Sequence, residues 1–211
     1  MLSVHLDHIT DPALIRQGAA AGVSSVMVDA SALDYEKNVA ATAEMAAWCR
    51  EQEIFVEAEL GEVGGKDGVH APGARTDPEE ALAFVESTGV DALAVAVGSS
   101  HAMVERTTVL DKELIAALRA KLPVPLVLHG SSGVPDEELR RAIAAGMTKI
   151  NISTHLVSVF TGAVRGALAA DPALVDSRRY LRVAREAVKS EAARLLRLLT
   201  EPVRAAPRPI S

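Results

Sequence analysis

Short runs of apolar, largely β-branched residues alternate along the chain with longer segments whose apolar positions recur at helical spacing. Leu2 to Leu6, Ser25 to Asp29, Ile54 to Leu60, Ala92 to Val97, Pro125 to Leu128 and Lys149 to Ile152 have the length and composition of strands. Helix-start signals lie between them, at Asp11-Pro12, Asp77-Pro78-Glu79-Glu80 and Pro135-Asp136-Glu137-Glu138, where proline suits the first turn and carboxylates oppose the helix dipole. The run from Ala92 to Val97 is apolar at successive positions, so both of its faces are buried. That pattern predicts a parallel sheet covered by helices, either an α/β barrel or a doubly wound sheet, and periodicity does not choose between them. A last long helix, roughly Ser177 to Thr200, mixes Leu and Val at helical spacing with many Arg, as suits an outer ring or a subunit contact. No linker divides the chain, so residues 1–211 read as a single domain with residues 202–211 as a flexible tail.

Composition narrows the class. With 49% hydrophobic and only 3% aromatic residues among 211, the chain can bury one substantial core built from Ala, Val, Leu and Ile. A net charge of -6 with no basic stretch argues against nucleic acid or an anionic membrane and in favour of a small-molecule partner. The lone Cys49 follows Trp48 in an Ala-rich helical pattern and reads as a buried thiol. The first residues lack the features of a signal peptide and no apolar run is long enough to cross a bilayer, so a cytoplasmic location is expected.

Chemistry concentrates at the strand ends. Strand one closes on His5-Leu6-Asp7-His8, the fourth runs into Val97-Gly98-Ser99-Ser100-His101, and the fifth into Leu128-His129-Gly130-Ser131-Ser132-Gly133. Catalytic groups of parallel α/β folds sit at the C-terminal ends of strands, and three imidazoles there can hold zinc while leaving a coordination position open. For any one of these histidines a structural role competes equally with ligation; three together favour a shared site. His5 reads as a buried hydrogen-bonding residue, and neither His70 nor His155 is given a metal role.

The strings His5-Leu-Asp-His8, Val26-Met-Val-Asp29-Ala-Ser31, Glu57-Ala-Glu-Leu-Gly-Glu-Val-Gly-Gly65, Val97-Gly-Ser-Ser-His101, Leu128-His-Gly-Ser-Ser-Gly-Val-Pro135 and Lys149-Ile-Asn-Ile-Ser-Thr154 resemble, in order, the class II ketose-bisphosphate aldolases, with the tagatose-bisphosphate and related branches nearest. The resemblance runs from the first residues to about Arg182. It implies a TIM (β/α)8 barrel with one Zn2+ held by His8, His101 and His129. It also implies a ketose bisphosphate, or a related phosphorylated keto-sugar, cleaved reversibly to dihydroxyacetone phosphate and an aldehyde. Asp7 matches the aspartate that exchanges a proton with the aldehyde-derived hydroxyl, while Asp29 and Glu59 match carboxylates near the metal, sometimes an alternative metal position. Gly130, Ser132, Ser153 and Thr154 match a phosphate cradle, though helix capping is the plainer reading of a Ser or Thr at a helix start. Asn151 matches a substrate-contacting asparagine, and Arg178 an arginine that reaches the second phosphate, often from a neighbouring subunit. A monovalent cation near the phosphate site and a homodimer or homotetramer are implied as well.

Three departures qualify the match. The first strand here corresponds to the third of the family's eight, so two βα units are expected to be missing. The mobile loop that should supply the proton-abstracting glutamate reads Lys66-Asp67-Gly68, making Asp67 the nearest carboxylate, one methylene short. Ala102 stands where the family has glycine beside the phosphate, followed by an acidic Glu105. The alternative reading is therefore a family member that binds metal or sugar phosphate without efficient turnover.

Overall fold

The computed structural model describes residues 3–60, 75–100 and 105–200. Six parallel strands, β1 (His5–Ile9), β2 (Ser25–Val28), β3 (Phe55–Glu59), β4 (Ala92–Ala94), β5 (Leu126–Leu128) and β6 (Met147–Ile150), pair in the order β1-β2-β3-β4-β5-β6. Between them run α1 (Pro12–Ala20), α2 (Tyr35–Glu51), α3 (Pro78–Thr88), α4 (Lys112–Lys121) and α5 (Asp136–Ala145). The long helices α6 (Thr154–Ala170) and α7 (Ser177–Thr200) follow β6. Strand neighbours are consecutive throughout, with no reversal of direction. A doubly wound sheet needs such a reversal, so the architecture is that of a barrel wall, here a six-stranded half-barrel.

Local chemistry sets the helix starts, at Asp11 and Asp77 as the pattern predicts, at Asp111 besides, and at Pro135 without a side-chain cap. Asp11, Asp77 and Asp111 each stand in extended backbone and accept from N–H groups of the first helical turn, and Pro12 and Pro78 open α1 and α3. α3 ends at Gly89, which adopts φ +65 in the left-handed region.

The sheet's two faces bury different material. Val26, Val28, Val56, Leu93, Leu126 and Leu128 face the helices in the main core, together with Ile15, Met45, Phe84, Ile115, Leu118 and Leu139. The alternate positions Met27, Ala92, Ala94 and Val127 form a separate small cluster on the inner face. The sheet curls far enough for side chains to meet across that inner face: Lys149 of β6 reaches Glu57 of β3 at 2.7 Å, and Asn151, just past β6, reaches Asp7 of β1 at 3.1 Å. α7 closes the C-terminal side, burying Ala184, Leu195 and Leu198. Cys49 is fully buried, and burial pushes its thiol pKa upward, as expected of an inert core thiol. No helix among the described residues is long and apolar enough to cross a membrane.

Candidate active site

Simple alternation along β1 would put His5, Asp7 and Ile9 on one face and Leu6 and His8 on the other. The structure departs from it. Pairing with β2 slips between Leu6 and Ile9, and His8 takes φ +53, a left-handed conformation uncommon for a side chain with a Cβ. Leu6 and Ile9 then both pack on the outer core, while the adjacent Asp7 and His8 both line the same cavity. His8 thus sits within β1 rather than closing it. Backbone strain of this kind is retained where a side chain has to be re-aimed.

The cavity, about 190 Å3, is lined by Asp7, His8, His129, Gly130, Ser131, Ser132, Asn151, Ser153 and Thr154. At its base His8 Nε2 and His129 Nδ1 lie 3.0 Å apart. Their other nitrogens settle what those two atoms carry. His8 Nδ1 is 2.7 Å from Asp29 Oδ2, and Asp29 Oδ1 accepts from the Ser31 hydroxyl at 2.7 Å. His129 Nε2 is 2.8 Å from Glu57 Oε1. An ionised carboxylate only accepts, so each ring donates N–H away from the other, and two lone pairs converge across the 3.0 Å gap. Two facing lone pairs require a cation or a proton between them. Two imidazoles on one tetrahedral zinc, with bonds of about 2.0–2.1 Å, place their nitrogens about 3.3–3.4 Å apart, close to what is seen. The donor set Asp7, His8 and His129 has its ligand atoms within 4.8 Å of one another. These residues fit a divalent metal.

Asp7 Oδ1 accepts from Asn151 Nδ2 at 3.1 Å. His5 Nε2, 3.7 Å from Asp7 Oδ1, is an electrostatic neighbour rather than a hydrogen-bond donor at that distance. Burial works to raise the Asp7 pKa, but His5, the rings of His129 and His8, and the Lys149 ammonium together hold it down at about 2. Asp7 is therefore a carboxylate at neutral pH.

Gly130, Ser132, Ser153 and Thr154 line the same cavity, and the capping of α6 is shared between two loops. Ser153 occupies the N-cap position of α6 but makes no side-chain cap bond; instead Ser132 Oγ accepts from the His155 N–H at 3.0 Å. The loop after β5 thus caps α6, leaving the helix N-terminus opening on the cavity. Gly130 takes φ +65, and a Cβ there would come within 2.6 Å of the Ser100 backbone, so only glycine lets these two loops meet. His155 turns the other way: its Nε2 lies 2.7 Å from Glu191 Oε1 of α7 and has no place in the metal set.

Among the described residues, Arg178 and Glu59 do not line this cavity. Arg178 pairs with Asp176 at 2.9 Å through Nε and Nη2 at the start of α7, is largely exposed, and does not line the cavity. Glu59 ends β3 fully buried. His101 and Asp67 lie outside the described residues, as do Ala102 and His70.

Two participants, Glu57 and Lys149, do not stand out from the sequence alone. Glu57 is fully buried and ties His129 to Lys149, whose Nζ lies 2.7 Å from Glu57 Oε2. Their signal was present: Glu57 precedes Glu59, and Lys149 precedes Asn151, by the two-residue step that keeps side chains on one strand face.

Comparison with known proteins bears on the family and the fold. The family model for "Fructose-bisphosphate aldolase class-II" matches residues 1–202. The crystal structure of the YdjI aldolase from Escherichia coli K12 superposes with a TM-score of 0.80 at 36% identity, covering 97% of this chain and 71% of that one. Fructose-bisphosphate aldolase from Campylobacter jejuni shares the fold, with a TM-score of 0.74 at 21% identity over 93% of this chain and 69% of that one. A cavity built from the ends of β1, β5 and β6, carrying two inward-facing imidazole lone pairs beside an ionised aspartate, thus occurs in a chain that belongs to the class II fructose-bisphosphate aldolase family.

Proposed function

We propose that the protein is a zinc-dependent aldolase that reversibly cleaves a ketose bisphosphate, or a related phosphorylated keto-sugar, to dihydroxyacetone phosphate and an aldehyde. The observation that carries this reading is the convergence of His8 Nε2 and His129 Nδ1 at 3.0 Å beside Asp7. His8 and His129 would hold the ion, with His101 as the third ligand that the family resemblance supplies. Zinc there supplies Lewis acidity, polarising the substrate carbonyl and offsetting the negative charge that develops next to it.

The chain's own residues do the rest. Asp7, ionised and held through Oδ1 by Asn151, accepts the proton of the hydroxyl that becomes the aldehyde in the cleavage direction and returns it in synthesis. Asp29 and Glu57 fix the orientation of the two imidazoles. Gly130, Ser132, Ser153 and Thr154 bind phosphate at the α6 N-terminus. Asp67 removes or returns the proton on the dihydroxyacetone phosphate carbon.

A homodimer or homotetramer suits the C-terminal helices. α6 is the most apolar of the helices yet buries none of its residues, with Val157, Phe160 and Leu168 exposed.

The test is aldol cleavage of fructose and tagatose bisphosphates by the zinc-loaded chain, with solvent proton exchange at dihydroxyacetone phosphate followed in parallel. Release of dihydroxyacetone phosphate is expected. Stoichiometric zinc with neither cleavage nor exchange would overturn the reading.

A further inference from the structure

We infer that Glu57 and Lys149 form a polarity lock that selects the zinc-binding tautomer of His129. Glu57 is a positioning residue: it acts through His129 rather than on substrate. The inference rests on the proposed metal role of His129 and assigns the residues that make that role possible.

Donors and acceptors decide the tautomer. An ammonium can only donate, so the Glu57 oxygen facing Lys149 at 2.7 Å must accept. The other oxygen faces His129 Nε2 at 2.8 Å and, in a carboxylate, must accept as well. His129 therefore carries its proton on Nε2 and turns the Nδ1 lone pair to the cavity, 3.0 Å from His8 Nε2. The Glu57 side chain is fully buried, so its two oxygens meet these partners rather than bulk water. Asn151 Nδ2, 3.3 Å from His129 Nε2, is a donor that would favour the opposite tautomer if residue 57 presented no acceptor to Nε2. Both pairings cross the inner face, joining β3 to β5 and to β6, so neither arises from local sequence.

This lock makes an unusual forecast for the isosteric variant Glu57→Gln. Lys149 still demands an acceptor, so the new amide turns its oxygen to Lys149 and its NH2 group to His129. Nε2 must then accept, the ring proton moves to Nδ1, and the metal-facing lone pair is blocked. Removing the ammonium as well, in Glu57→Gln with Lys149→Met, frees the amide to rotate and present its oxygen to Nε2–H again. A second mutation at a residue outside the cavity lining is thus expected to restore metal binding.

The experiment is zinc affinity by competition with a chromophoric chelator for wild type, Glu57→Gln, and the double variant, with the His129 tautomer read from 15N shifts of histidine-labelled protein. The His129 signal is identified by its loss in His129→Gln. Glu57→Gln is expected to lose affinity on the order of 10–100-fold and to shift the proton to Nδ1, and the double variant to recover most of that loss with the proton back on Nε2. Unchanged affinity in Glu57→Gln, or a double variant as weak as the single one, would overturn the lock while leaving the function standing. A wild type that binds no zinc would remove both. A merely structural role for Glu57 predicts additive losses and no rescue.

Discussion

On the outer face of the sheet, Val26, Val56, Leu93, Leu126 and Leu128 meet the helices, none more than 2% exposed and none needing a polar partner. On the inner face of the same sheet, His5, Asp7, Glu57, His129 and Lys149 are linked by electrostatic contacts, and Glu57 and His129 are buried as deeply as any valine. Burial on the outer face stabilises the fold through removal of apolar surface and close packing. Burial on the inner face costs desolvation energy that hydrogen bonds and charge pairing only offset, and what it secures is orientation. The two faces should therefore fail differently when altered.

The sharpest separation is expected from the imidazoles. His8→Ala and His129→Ala should abolish zinc-dependent cleavage, and a chelator should do the same to wild type. Folding in the far-ultraviolet should stay intact in each case. Asp7→Asn should come next: cleavage should fall on the order of 10²–10⁴-fold in steady-state kinetics, because the proton acceptor is gone, with zinc content unchanged. A variant that lost zinc along with activity would instead make Asp7 a ligand.

Leu126→Ala tests the other face. It should cost about 2–5 kcal/mol in denaturant unfolding while leaving zinc stoichiometry in the folded fraction intact. Equal damage to both properties would erase the distinction between the faces.

The smallest effect is expected away from the sheet, where Glu191 of α7 pairs with Arg194 and His155. Its pKa is lowered from 4.5 to about 2, chiefly by the Arg194 guanidinium and also by His155. A depressed carboxylate contributes stability that is present above its unfolded pKa and is lost as pH falls through the folded one. Glu191→Gln should thus be about 1 kcal/mol less stable than wild type at neutral pH, a modest amount for a partly solvated pair. The difference should shrink between about pH 4.5 and pH 2 in acid-unfolding curves, whereas a constant difference would assign the effect to packing.

Much of this organisation is legible in the chain itself. Six strand runs and the caps of α1 and α3 follow from local pattern, because Asp11 and Asp77 cap through neighbours two or three residues away. The choice of barrel over doubly wound sheet does not, since it depends on the order in which strands pair. His8 and His129 could be marked as a shared site from their motifs, but not how His8 reaches it, because strand alternation points that residue outward and only a slipped register with φ +53 brings it in. Glu57 and Lys149 escape a sequence reading because each acquires meaning from a partner tens of residues distant. Ser153 illustrates the converse: it has the type and position of a capping residue, yet Ser132 from the preceding loop makes the bond to α6.

The proposed metal site turns on the facing nitrogens of His8 and His129. Calorimetric titration of zinc into metal-free wild type and His129→Ala, with cleavage of a ketose bisphosphate measured on the same samples, tests it most directly. One zinc per wild-type chain is predicted, with activity rising in step with occupancy and both lost in the variant. Undiminished zinc binding by His129→Ala, or full cleavage by metal-free wild type, would contradict it.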